Sequence, residues 1–399
     1  MQRMMRHQLP VRSPLPWLAL WSGVRSATRR DHGARARAEV AALLRSRFRG
    51  FDVLFTDSGT SALALAIGRS AHSARRPIAV PAFGCFDLAT AVDAAGAPFV
   101  LYDVDPATLG PDLESLERAT ALGADRILVA HLYGIPVDIV AVHEIAKRAG
   151  AVIIDDAAQG AGASVQGIPL GAGGEFGILS FGRGKGITGG GGGALLCRSD
   201  LHPNDPLATT SVRPASRTAA KEFATGLAQW LLGRPELYWI PASLPFLGLG
   251  ETDYRAPHPV SDATDFSLGV LRETLPLADA EADLRRRHAT RLQRALSPVT
   301  LASPRIPRDA VPGFLRFPVL ASSAKAITAR SIQARRLGIM PAYPTALVDL
   351  AGFGDRRLNR DEACEGARTL AGRLLTLPVH GALNEADLCA LESWCRGPV

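Results

Sequence analysis

The sequence has no CxxC pair and no Cys/His spacing of the kind that ligates a metal; its five cysteines, Cys85, Cys197, Cys364, Cys389 and Cys395, are scattered and odd in number. A disulfide framework and a structural zinc site are excluded on that pattern, and free thiols in a reducing compartment with no metal site are expected. No leader is expected either. The short apolar piece PLPWLALW is broken by proline and followed by no small-residue cleavage site, so the expected location is the cytoplasm. The most apolar segment, FATGLAQWLLGRPELYWIPASLPFLGLG, contains Arg234, Glu236 and three prolines and is too interrupted to span a bilayer. Net charge is +7, supplied almost entirely by arginine, yet no basic stripe with interleaved aromatics appears, which argues for anionic small molecules or plain solubility and against nucleic acid. Eleven arginines and two acidic residues lie in the first fifty positions, so part of the excess is a local, solvated face. No internal repeat occurs, and the glycine run near residue 190 is the sole low-complexity tract.

What is present is a long chain, 399 residues with 47% hydrophobic content, enough for a large core and two lobes. Its organising stretch runs from Ala151 to Cys197. An apolar run, Ala151 to Ile154, ends in Asp155 and Asp156; a second, Phe176 to Phe181, ends in a glycine-dominated loop carrying Lys185; a third covers Ala194 to Cys197. Short apolar runs bounded by glycine read as strands buried on both faces, and in parallel α/β sheets ligands sit at the strands' carboxyl ends. Asp156 and Lys185 then meet in one crevice. A carboxylate and a lysine so placed suit pyridoxal phosphate (PLP), whose aldehyde needs an amine and whose ring nitrogen needs an anion. An ordinary buried aspartate beside a solvated lysine is the plainer alternative.

Upstream, residues 1 to 50 read as an arm followed by a helix from Ala34 to Phe48. In VLFTDSGTSALALAIG a strand ending at Phe55 turns through Asp57, Ser58 and Gly59 into a helix beginning near Thr60. Such a turn is a phosphate seat or an ordinary N-cap. IAVPAFGCFDLATAVDAAGAPFVLYDVD gives strand, loop, helix and strand. ILVAHLYGIPVDIVAVHEIAKRAG adds a strand, a turn at Tyr133 and Gly134, and a helix; His131 and Tyr133 are given structural roles. This alternation predicts a mostly parallel, doubly wound sheet. Residues 201 to 260 break the rhythm, and their apolar segment is assigned to a subunit interface or the active-site mouth in preference to a membrane surface. Thr264 to Leu296 is strongly helical. The last hundred residues hold a strand, FLRFPVL, and end in a helix that Asn384 can cap, with Asp387 in its first turn.

IIDDAAQGAGA, then LSFGRGK, then a run of glycines resembles the signature of the DegT-type (DegT/DnrJ/StrS) sugar aminotransferases, of PLP fold type I. The likeness is good from about residue 50 to 200 and looser over the last hundred, where TLPVH precedes the terminal helix. It implies a large PLP-binding domain over residues 1–270, with the apolar insert at about 201–260, and a small C-terminal α+β domain over 271–399. Lys185 would be the lysine bonded to the cofactor aldehyde and the proton carrier of the reaction, and Asp156 the partner of the pyridine nitrogen. Gln159 would touch the cofactor's 3′ oxygen or its ring. Ser180 would hold the phosphate with amides at Gly59, Thr60 and Ser61. The family's ring-stacking aromatic falls on Cys85, so that role passes to neighbouring Phe86, with a core phenylalanine as the alternative. The activity implied is transfer of an amino group, usually from L-glutamate, to a keto sugar by a homodimer.

Several positions depart from that pattern. Gly186 and an unbroken run from Gly189 to Gly193 replace the usual Asn and Gly-Glu-Gly-Gly. PVSDATDF contains no Asn for the neighbouring subunit's phosphate, and the usual His-Tyr pair is reduced to Tyr343. These changes leave cofactor capture intact and place the acceptor in question. Related dehydratases replace the lysine by histidine, so Lys185 counts against that reading, and the retained set of Asp156, Gln159, Ser180 and Lys185 counts against a non-catalytic PLP- or sugar-binding descendant.

Overall fold

The computed structural model describes residues 6–70, 76–200, 212–215, 217–244, 253–329 and 331–397. The strands expected from the apolar runs form one seven-stranded sheet: β1 (Phe51–Thr56), β2 (Ile78–Pro81), β3 (Phe99–Tyr102), β4 (Arg126–Ala130) and β5 (Val152–Asp156). A small hairpin of β6 (Ser164–Val165) and β7 (Ile168–Pro169) precedes its last members, β8 (Phe176–Ser180) and β9 (Gly193–Arg198). The spatial order is β1-β9-β8-β5-β4-β2-β3. Every pair from β3 to β8 is parallel, whereas β9 is antiparallel to both β8 and β1. The reversal has a local cause. Only the glycine loop between Ser180 and Gly193 joins β8 to β9, and it holds no helix of the kind that usually makes a parallel return.

Both faces of the sheet are covered, which is why its strands read as continuous apolar runs rather than alternating ones. Val80, Leu101, Leu128 and Ile154 face one core, and Ala79, Val100, Ile127, Val129 and Ile153 face another that includes Val142 and Ile145. The carboxyl ends of β5 and β8 therefore present Asp156 and Ser180 at the same edge.

The amino-terminal arm is more helical than its sequence suggested. Trp17–Thr28 is a helix of its own, and the next spans Arg30–Arg47. The first packs Leu20 against Phe266 and Val270. Gly23 permits that approach, because a Cβ there would lie 2.9 Å from Phe266. The described part of the apolar insert forms the helix Ala219–Leu232, whose Trp230 ring sits 5.3 Å from that of Trp17; residues 201–211, 216 and 245–252 lie outside the described residues. Among the described residues no helix is long and apolar enough to cross a membrane.

The helical stretch expected from Thr264 to Leu296 is two helices, Asp265–Thr274 and Ala278–Arg294, parted by a 3-10 turn at Leu275–Leu277. Pro276 breaks it, since it has no amide to donate. A second, antiparallel sheet follows, ordered β10 (Leu301–Ala302), β12 (Phe317–Ala321), β14 (Leu374–Leu377), β13 (Met340–Pro341); β11 (Ala310–Val311) instead joins β6. The terminal helix Glu385–Arg396 has the Asn384 cap as expected, completed by a reciprocal bond from the Asn384 amide to the Asp387 carboxylate.

Two contacts tie distant parts together. Buried His380 donates Nε2–H to the Leu9 carbonyl at 2.9 Å, while its Nδ1 accepts from the Ala382 amide. The outer edge of β3 is paired with a loop of the C-terminal region: Phe99 donates to the Arg356 carbonyl and Leu358 to that of Phe99, and the Asn359 side chain both accepts from the Leu101 amide and donates to its carbonyl.

Candidate active site

Two adjacent carboxylates end β5, and alternation sends them to opposite faces. Asp155 is fully buried. Its Oδ1 lies 2.7 Å from His131 Nε2, and its Oδ2 accepts the amides of Gly171 and Gly173, each at 2.8 Å. Because His131 Nδ1 accepts the Val137 amide at 3.0 Å, the ring proton must sit on Nε2 and point at Asp155. Burial alone would raise the Asp155 carboxyl, but the imidazole and the two glycine amides hold it below its ordinary value. This pair fixes β4, β5 and the loop leading to β8.

Asp156 has less support. Its Oδ1 accepts one amide, that of Ala158, at 2.9 Å. Burial raises its pKa, opposed by that bond and by the charge of Lys185, which lies within electrostatic reach. A carboxylate in this state favours a cationic N–H partner.

At the end of β1, Ser58 caps the helix Gly59–Arg69 by accepting the Ser61 amide at 3.1 Å. Of the three amides expected to seat a phosphate, that of Ser61 is spent in this cap. Gly59 is required by closeness, since a Cβ there would lie 2.8 Å from Ser180 Cβ. Helix N-terminus and Ser180 hydroxyl thus converge on one spot. Lys185 belongs to the same cradle, as a Cβ on Gly182 would lie 3.7 Å from Ser180 Oγ and 3.9 Å from Lys185 Cγ.

Gln159 is locked at both ends. Its Oε1 accepts the Tyr133 amide at 3.0 Å and its Nε2 donates to Tyr343 Oη at 2.9 Å, leaving one Nε2–H unspent. Tyr343 stacks on Tyr133, ring centres 5.7 Å apart, and meets Phe83 edge-on at 5.6 Å. Tyr343 comes from the loop after β13, so this wall joins the two sheets. Tyr133 holds a left-handed backbone, φ 55°, which turns the chain after β4 into the site.

Of the two readings of Phe86, the core one is favoured. Phe86 is buried in the main core, 4% exposed, as the first residue of the helix Phe86–Ala95. The residue facing the crevice is Cys85, half-buried at the cap, its thiol 3.5 Å from the Asp87 carboxylate and within electrostatic reach of Lys185. Burial pushes that thiol up to about 12, so it is a neutral small group at neutral pH.

Two arginines went unnoticed in the sequence. Arg285, 1% exposed, donates Nε to the Gly313 carbonyl at 2.8 Å and Nη2 to that of Ala161 at 2.9 Å, behind Gly186. Burial lowers its pKa to about 10. It clamps the loop after Gln159 to the loop before Arg316, which is itself bonded to the Tyr133 turn through Leu315 N to Tyr133 O, 2.8 Å. Arg316 is half-buried just before β12 and donates to the Thr376 hydroxyl at 3.5 Å. Neither lies in a recognisable motif; only the count of arginines hinted at a buried one.

The described side chains fit PLP: a cradle of glycines closed by Ser180, a half-buried carboxylate in need of a cation, and an amine within its electrostatic reach. The DegT/DnrJ/EryC1/StrS aminotransferase family matches residues 38–207. An L-glutamine:scyllo-inosose aminotransferase of Streptomyces griseus is 37% identical over 139 residues, 35% of this chain and 33% of that protein. A pleiotropic regulatory protein of Geobacillus stearothermophilus is 31% identical over 170 residues, 43% and 45% of the two chains. The aligned part spans a third to a half of the length of these relatives. A DegT DnrJ EryC1 StrS aminotransferase from Brucella abortus matches in structure with a TM-score of 0.71 at 23% identity, over 94% of this chain and 95% of that one. A protein of Streptococcus pneumoniae, solved in PLP and PMP forms, gives TM-scores of 0.71 at 16% and 15% identity, over 96% of both chains. The chain has the fold of the PLP fold type I aminotransferases, and its residues 38–207 match the model of the DegT/DnrJ/EryC1/StrS family.

Proposed function

We propose that this protein is a PLP-dependent aminotransferase that moves an amino group from an amino acid, L-glutamate in the first instance, to a keto sugar or related keto cyclitol. The observation that carries this reading is the convergence of Lys185, Asp156, Ser180 and the Gly59 helix terminus on one crevice at the sheet's carboxyl edge. When bound, PLP would supply the electron sink that makes the substrate's α-proton acidic. Lys185 would bond the cofactor's aldehyde and, once released, carry the proton between substrate carbon and cofactor. Asp156 would keep the pyridine nitrogen protonated, and that cation would in turn relieve its burial. Ser180 and the Gly59 and Thr60 amides would hold the phosphate, where the positive end of the helix favours an anion. Gln159, immobilised by Tyr133 and Tyr343, would set the ring's lateral position. Cys85 would leave the ring's outer face with a small thiol in place of an aromatic cover.

A division into a large domain over residues 1–270 and a small one over 271–399, a homodimer and a cytoplasmic location belong to the same reading. Exposed Trp17, Leu18 and Trp21 on one helix give an apolar face that supports assembly.

The test is the visible spectrum of the purified protein with PLP, before and after L-glutamate. A protein-bound cofactor band that gives way to the pyridoxamine form is the expected result. No band after PLP addition would remove the reading.

A further inference from the structure

We propose that the exposed, tryptophan-rich face shared by the helices Trp17–Thr28 and Ala219–Leu232 docks on the surface of an anionic lipid bilayer, the arginines at its edge meeting the headgroups. A helix on the outside of a globular protein ordinarily turns polar residues to water. The helix Trp17–Thr28 departs from this. Ala19, Leu20, Gly23 and Ser26 are buried, while Leu18, Trp21 and Arg25, which follow one another at helical spacing, face out, Leu18 being 65% exposed and Trp21 52%. Trp17 at the helix start is exposed too; it meets Trp21 edge-on at 6.4 Å and lies tilted against Trp230 of the second helix at 5.3 Å. Leu231, next in the chain, is exposed, and Trp239 and Ile240 follow on the short helix Trp239–Ala242. Four of the five tryptophans thus lie in these elements, away from the cofactor crevice. An indole, apolar in body with one N–H to spend, suits the headgroup level of a bilayer.

Apolarity alone would suit a second copy equally well; charge favours lipid. No acidic residue occurs between Pro16 and Arg30, whereas Arg25, Arg29 and Arg30 are exposed. Among the described residues none of these three has an ion-pair partner. The next acidic residues along the chain have neighbours of their own, Asp31 with His32 at 3.9 Å and Glu39 with Arg35 at 2.7 Å. On the insert, Glu222 accepts from the Thr264 hydroxyl and Glu236 from Arg6, while Arg234 lies over the Trp230 ring at 4.3 Å. A symmetric contact with a second copy would set this arginine edge against a face with no carboxylate to offer. Lipid headgroups supply an anion wherever an arginine falls. Arginine and tryptophan around an apolar stripe make a helix that lies in the headgroup layer, and no helix among the described residues is long and apolar enough to cross a membrane. A cytoplasmic location suits this partner, because that leaflet carries the negative charge.

The experiment uses the full chain loaded with PLP and two kinds of vesicle, one of phosphatidylcholine alone and one of phosphatidylcholine with an equal part of phosphatidylglycerol. Binding is read by co-sedimentation and by the blue shift of tryptophan fluorescence. Wild type is expected to bind the anionic vesicles about 10-fold or more tightly than the neutral ones and to be released by added salt. Leu18→Ser combined with Trp21→Ser should weaken binding to the anionic vesicles about 10- to 100-fold. Arg25→Glu should weaken it about 5- to 30-fold. All three positions are exposed, so thermal unfolding and the cofactor band are expected to stay as in wild type; Arg25→Glu carries the test by itself if the serine variant fails to fold. No binding of wild type to anionic vesicles, equal binding to both kinds, or variants that bind as wild type does would each overturn the proposal. So would a serine variant that turns a dimer into a monomer in vesicle-free solution, measured by light scattering, since that result gives the face to a second copy.

Discussion

The two walls of the crevice are built by different means. On the large-sheet wall, main chain holds or frames the side chains: two glycine amides on Asp155, one amide on Asp156, and a capped helix terminus against Ser180. Towards the small sheet side chains hold one another, Tyr343 taking Gln159 of the large-sheet wall across 184 positions and Arg316 meeting Thr376 across 60. Backbone-held groups depend on local turns and glycines, so they recur as short motifs. Side-chain partnerships can be exchanged without changing the chain's path. The cofactor end is thereby constrained, and the substrate end is free to diverge.

Removing the amine should produce the largest effect on this contrast. Lys185→Ala is expected to abolish turnover and the bound cofactor's visible band, measured on protein purified in PLP; retained turnover would break the assignment of that wall to catalysis. Next come the paired carboxylates, which separate chemistry from framework within one strand. Asp156→Asn should lower kcat by about 100-fold or more with little change in unfolding. Asp155→Asn should instead cost about 2–4 kcal/mol of stability, read by denaturant titration, because it turns an amide donor on Gly171 and Gly173 while activity per folded molecule persists.

Acid sharpens the comparison from the other side. Burial lowers His380 to about 4, so the folded state disfavours its proton. The stabilisation is complete above the unfolded value near 6.5 and is lost as pH falls from there towards 4, a change of about 3 kcal/mol. His380→Gln should flatten that part of the stability profile, with the cofactor band unaffected. The smallest effect is Asn384→Ala, expected to cost about 1 kcal/mol by loss of the capping box and to leave kinetics alone.

How far the sequence could be read follows from the same division. The strand ends at Asp156 and Ser180, the turn at Gly59, the loop lysine and the Asn384 cap were visible because each is fixed within a few residues. β9's reversal was not drawn from the glycine run, though a connection without a helix favours it. Pro276 was the overlooked sign of a broken helix. Phe86 read as ring cover or as core because a one-residue shift around a helix start exchanges core and crevice, and its burial favours the second. Arg285 and Arg316 carried no local signal; their partners at Gly313, Ala161 and Thr376 are set by tertiary packing alone.

Asn359 on the edge of β3 has a consequence for the life of the chain in a crowded solution. Its side chain offers Leu101 both an acceptor and a donor, at 2.9 and 2.8 Å, imitating the next strand of a ladder. A row of unused amide and carbonyl groups would otherwise be a template for a foreign strand. Closing it with a segment from near the other end of the chain means that the edge is protected only after the C-terminal region has folded back. Newly made or partly opened molecules expose a sticky border that finished ones lack.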